Sequence, residues 1–114
     1  MILFSISNII KAGVFDGTQG EGTEISPYLI YNITDLREMA DSMPNIYTNY
    51  RDLHFKLMAD ITTPVDFYIS RFGASRTTYN HTFDGNGYKI TLFNYSGLFN
   101  TIETGSVIKN LVVI

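Results

Sequence analysis

Asp84-Gly85-Asn86-Gly87 is the stretch of this chain whose residue types come nearest to metal chemistry. Side-chain oxygens at alternate positions around glycines suit a calcium loop, which needs further oxygen ligands at fixed intervals and a bidentate carboxylate at its end. The pattern fails downstream, because Tyr88 stands where an oxygen ligand belongs and Tyr95 stands where the closing glutamate would be. A tight turn accounts for the same residues without a metal. Glycine tolerates positive φ, and short Asp and Asn side chains bond their own backbone.

Other groups that could do chemistry are scattered. His54 and His81 are the only histidines, and neither has a second ligand at helical or hairpin metal spacing. Asp60, Asp66 and Asp84 lie near strands, and sugar-cleaving β-structures do use paired acids on a strand face. Such sites occupy long grooves spanning several coils, more than this chain offers, and Asp60 is read instead as bonding a turn. The sequence holds no Gly-x-Ser-x-Gly elbow, no phosphate loop and no cysteine nucleophile. The expectation is a chain that is not an enzyme, with no catalytic residue, metal or cofactor. Tyr47, Tyr50, Tyr68, Tyr79, Tyr88 and Tyr95 fall outside the clear core positions. Exposed aromatics suit a carbohydrate receptor, although strand packing is the commoner reason for them. Sequons at Asn32, Asn80 and Asn94 are read as chance.

Composition sets the frame that must position these residues. A chain of 114 residues is expected to form one domain with a real core, and 45% hydrophobic against 17% charged residues argues against disorder. Nine glycines with eight Phe and eight Tyr favour strands joined by tight turns. A net charge of -3 supplies no basic stripe for a phosphate backbone, so nucleic acid is not an expected partner. The absence of cysteine says little about compartment. The opening "MILFSISNIIKAGVF" has Lys11 after its apolar run, unlike a secretion signal, and is too short for a membrane span of roughly twenty residues. It is read as mature sequence: residues 1–14 form an arm or strand, with Ile2, Leu3, Phe4, Ile6, Ile9 and Ile10 docking on a neighbour.

Residues 15–114 are the expected domain. "FDGTQGEGTEISP" is loop and turn, followed by a compact strand over Tyr28 to Tyr31. The period then switches. Leu36, Met39, Ala40 and Met43 fall on one helical face, with Thr34 as N-cap, Asp35 and Glu38 near the positive end of the dipole, and Pro44 as terminator. In "HFKLMADI", Phe55, Leu57 and Ala59 alternate with polar neighbours as a strand. A strand is also expected at Val65 to Ile69, a tight turn at Asn86-Gly87 and a strand from Lys89 to Phe93.

The closing segments repeat: "KITLF" and "KNLVV" are roughly twenty residues apart, close to one coil of a parallel β-helix, whose coils bury their inner faces only by stacking. "GTQGEGTEISPYLIYNITDLREMA", "HFKLMADI", "FDGNGYKITLF" and "SGLFNTIETGSVIKNLVV", in that order, resemble the N-terminal portion of bacterial and phage right-handed β-solenoid proteins with GLUG-type repeats. The resemblance implies a mainly β fold, a short right-handed parallel β-helix of few coils with an N-terminal amphipathic capping helix. Members of that family generally run through many more coils, whereas this chain stops after the first complete repeat. A last strand on Leu111, Val112 and Val113 would therefore leave an apolar rim that something must cover.

Three functions compete on this reading. The first is a structural component of a phage particle, a capsid decoration or a head-fibre or tail-fibre anchor, whose partners are other virion proteins or copies of itself. The second is a fragment of a bacterial cell-surface adhesin, and the third a truncated carbohydrate-active β-helix enzyme. Lack of a secretion segment favours the virion, since phage structural proteins leave by lysis.

Overall fold

Alternation and period translate directly into the elements seen. The computed structural model describes residues 13–43, 51–73, 79–93 and 97–114. In order these form β1 (Tyr28–Ile30), α1 (Ile33–Ser42), β2 (Leu53–Leu57), β3 (Ile61–Thr62), β4 (His81–Asp84), β5 (Lys89–Thr91), β6 (Val107–Lys109) and β7 (Val112–Val113). Every strand pair among the described residues is parallel. One sheet runs β1-β2-β4-β6 and the other β3-β5-β7. The chain is therefore a small α/β domain of parallel strands with one helix, where the sequence reading expects a mainly β chain.

Register explains the core. Phe55 pairs with Tyr28 on one side and Phe83 on the other, and Phe83 pairs with Ile108. Ile61, Ile90 and Val113 form the equivalent column in the second sheet. Isolated parallel bridges, Ile69 to Phe99 and Phe72 to Ile102, add a third row. Alternate residues of β2 and β4 are buried, as period-two strands with one covered face require. Rings carry the packing between rows. Phe55–Phe72, Phe72–Phe83 and Phe83–Phe99 meet edge to face at 6.1, 6.0 and 5.8 Å, each contact adding about 0.5–1.5 kcal/mol beyond the area it buries.

The helix lies over the same core: Leu36, Met39 and Met43 are buried, and Ala40 packs partly against them. Its N-cap is Asn32 and not Thr34. Asn32 is extended (φ -156°, ψ 177°) and its Oδ1 accepts the Asp35 amide at 2.9 Å, while Thr34 already lies within the helix. The buried Asp35 carboxylate accepts from the Tyr31 amide at 2.9 Å and from Gln19 Nε2 at 3.1 Å, fixing the helix start to the β1 flank. Glu38 accepts the Val14 amide at 2.6 Å and holds that buried residue against the helix. Pro44, the expected terminator, lies outside the described residues.

Two further expectations need correction. No strand spans Val65 to Ile69; the Phe67 amide instead donates to the Pro64 carbonyl at 3.2 Å in a turn, leaving Val65 exposed. The strand-forming types Val65, Phe67, Tyr68 and Ile69 follow Pro64, whose fixed φ suits the start of a turn. Ala59 is half-buried beyond the end of β2 and does not continue the alternation.

Candidate functional site

The Asp84–Gly87 stretch is a turn that links strands and also stacks on its successor. Asp84 Oδ1 accepts the Asn86 amide at 2.8 Å, the self-bonded turn its residue types predict. The same oxygen accepts from Asn110 Nδ2 at 3.1 Å, twenty-six positions on. Gly85 and Gly87 donate to the carbonyls of Lys109 and Asn110 at 2.8 and 3.0 Å. Asn86 and Asn110 both adopt the left-handed region (φ 54° and 53°), which Asn tolerates better than other side-chain-bearing residues. Each reaches back to the strand level before it, Asn86 through an Nδ2 bond of 3.2 Å to the Leu57 carbonyl. Partial burial would raise the Asp84 pKa, but the bonds from Asn110 and Asn86 and the ammonium groups of Lys109 and Lys56 outweigh it and hold it below 3.8. Among the described residues no cluster of three His, Asp or Glu side chains could hold a metal ion.

The remaining acids and histidines do not converge. Asp60 accepts the Lys89 amide at 2.9 Å, so it bonds the start of β5 twenty-nine residues on and not its own turn. Asp66 is exposed beside Val65. The outer face of the first sheet bears a shallow concavity of about 140 Å³, with Glu24, His54, Lys56, Thr82, Asp84 and Lys109 among its lining residues. Lys56, Asp84 and Lys109 are register partners across β2, β4 and β6, a row of alternating charge that stabilises the sheet exterior. His81 faces inward: its Nδ1 accepts the Leu53 amide at 3.0 Å, and its Nε2 is buried without a hydrogen-bond partner among the described residues. Of the sequons, Asn32 caps the helix, Asn80 donates its amide to Asp52 at 2.8 Å, and Asn94 lies outside the described residues. Tyr47, Tyr50 and Tyr95 also lie outside them, while Tyr68 is exposed and Tyr28 is half-buried, its ring tilted against Phe55.

The arrangement that stands apart is the far edge, beyond β6 and β7. Ile61 and Ile90 are 4% and 0% exposed, whereas Val113, next in their column, is 45% exposed. Phe72 is fully buried and its partner Ile102 is 49% exposed. Val107, Val112 and Ile114 are exposed as well, and Leu111 is partly covered. The structure thus brings Leu111, Val112 and Val113 to one edge with Ile102 and Val107, which sequence reading missed. A repeat of thirty residues aligns Ile102 with Phe72, a spacing that the roughly twenty residues between "KITLF" and "KNLVV" do not suggest. Ile2, Leu3, Phe4, Ile6, Ile9 and Ile10 lie outside the described residues.

This edge can pair backbone and bury apolar surface, and it assembles no set of acid, base and nucleophile. Among the described residues no helix is long and apolar enough to cross a membrane. Comparison with family models, curated proteins and solved structures finds no match to this chain.

Proposed function

We propose that this chain is a non-catalytic assembly module, the helix-covered beginning of a right-handed parallel β-solenoid with a GLUG-type repeat. Successive parallel pairing along one row supports the solenoid reading, with Tyr28 paired to Phe55, Phe55 to Phe83 and Phe83 to Ile108, steps of 27, 28 and 25 residues. Parallel crossovers within one sheet are right-handed in about 98% of cases, which gives the coil its hand. The observation that carries the assembly role is the change of burial along one column, from Ile90 to Val113. A rung whose inward residues stay wet is stabilised by further β-structure laid beside it, from the same polypeptide or from a neighbour. The resemblance to phage and bacterial solenoids supports a setting in a phage particle, as a head decoration or fibre anchor among other virion proteins or further copies.

The test is fractionation. Particles induced from the encoding genome are banded on a density gradient and probed with antibody against this chain. It is expected to co-band with intact particles and survive a salt wash. Recovery in the cell envelope instead overturns the virion setting in favour of an adhesin, and glycan cleavage by the purified chain overturns the non-catalytic reading.

A further inference from the structure

We propose that His81 makes the β2–β4 junction an acid-sensitive latch, closed while its imidazole is neutral and loosened when the ring takes up a proton.

His81 opens β4 and pairs in register with Leu53, the first residue of β2. The ring is 1% exposed. Because Nδ1 accepts the Leu53 amide, the proton of the neutral ring resides on Nε2, which has no acceptor among the described residues. A second proton must go to Nδ1, where it points at the Leu53 N–H. The bond then becomes two opposed donors, and a cation enters the core with no carboxylate on its other nitrogen.

The surrounding groups offer little relief. From the β2 side come Asp52, which attracts a cation but already accepts the Asn80 amide, and His54, a second imidazole that repels one. Arg51, on the same flank, is turned to the Glu21 carbonyl and the Tyr28 hydroxyl. On the β6 side Thr82 pairs with Val107, so the residue level with His81 is Ser106, which is uncharged. Glu103, earlier in that segment, is tied to Arg71 at 3.0 Å. Burial therefore prevails over Asp52, with His54 adding to it, and the ring's pKa falls below its ordinary 6.5 although the neighbouring Asn80 backbone favours the protonated form.

The sign follows by linkage. The unfolded chain binds a proton that the folded chain refuses, so stability is full above 6.5 and drains away as pH falls from there toward the folded value. One proton limits the slope to about tenfold in the folding equilibrium constant per pH unit. Asp16 and Asp84, whose pKa values lie below 3.8, act in a separate and more acid window. The ladder that loosens, Leu53–His81 through Lys56–Asp84, joins β1 and β2 to everything after them.

Denaturant unfolding across pH values from about 8 to about 4.5 tests the latch. The wild type is expected to lose stability below about 6.5 with a one-proton slope. His81→Asn retains an acceptor for the Leu53 amide and cannot titrate, so it flattens that limb, whereas His54→Gln removes only a smaller repulsion and keeps most of it, because His81 stays buried. NMR titration of the wild type needs no variant to fold: the His81 imidazole is expected to stay neutral until the chain unfolds. Ordinary titration of the His81 ring in the folded protein, or an acid limb unchanged by His81→Asn, overturns the proposal.

Discussion

Gly85 and Gly87 share one turn and are glycine for different physical reasons. A Cβ on Gly85 would lie 2.5 Å from the Asn110 carbonyl oxygen and 2.5 Å from the Leu111 Cα, both main-chain atoms of the next level. Gly87 has open space around it but sits at φ +82°. Gly85→Ala therefore forces two strand levels apart and is expected to destabilise by about 1–3 kcal/mol, as overpacking does. Gly87→Ala costs about 1–2 kcal/mol through its backbone alone, and Gly87→Asn less, because Asn tolerates the left-handed region. Urea midpoints of the three variants check this order. Asp84 adds a pH term of known sign. Its depressed pKa means that its contribution is present above 3.8 and is lost as pH falls through the lower folded value. Asp84→Asn keeps an acceptor for both bonds but gives up the attraction of Lys109 and Lys56, so the most acid part of the stability curve should flatten and stability at neutral pH should fall slightly.

At the scale of elements, the helix tests how far sequence carries. Leu36, Met39 and Met43 declare themselves by spacing, since only a 3.6-residue period puts them on one face, and they are buried. Met39→Ala is accordingly expected to cost about 2–5 kcal/mol by thermal or denaturant unfolding. The cap was less legible. Asn32 and Thr34 are both good N-cap types, and only the bond from the Asp35 amide to Asn32 decides between them. Asn32→Ala should cost about 1 kcal/mol, and Thr34→Ala, exposed within the first turn, under about 0.5 kcal/mol; the reverse order would restore Thr34 as the cap. Similar reasoning separates the strands. β2 shows in its alternation, whereas Val65 to Ile69 has strand-forming residues but follows Pro64 and folds into a turn. Local preference names what a segment can be. Partners twenty-nine residues away can decide what it is, as with Asp60, whose acceptor role depends on Lys89.

For the whole molecule, the columns that run through the sheets make one comparison decisive. Ile61, Ile90 and Val113 occupy equivalent places in β3, β5 and β7, so a truncation at each asks the same chemical question in different surroundings. Ile90 has neighbours on both sides and no exposure, and Ile90→Ala should cost about 2–5 kcal/mol. Val113 has a neighbour on one side only and is 45% exposed, so Val113→Ala in the isolated chain should cost under about 1 kcal/mol. Val113→Lys should be tolerated to within about 0.5 kcal/mol for the same reason, since the ammonium can reach water. The proposed assembly would change the second half of this comparison and leave the first alone. Once further β-structure lies against β7, the lysine would be buried without a partner, so Val113→Lys should abolish retention in particles while the purified variant unfolds like the wild type. Equal costs for Ile90→Ala and Val113→Ala in the isolated chain would mean that the edge is already covered in solution. The assembly role would then lose the burial gradient on which it stands.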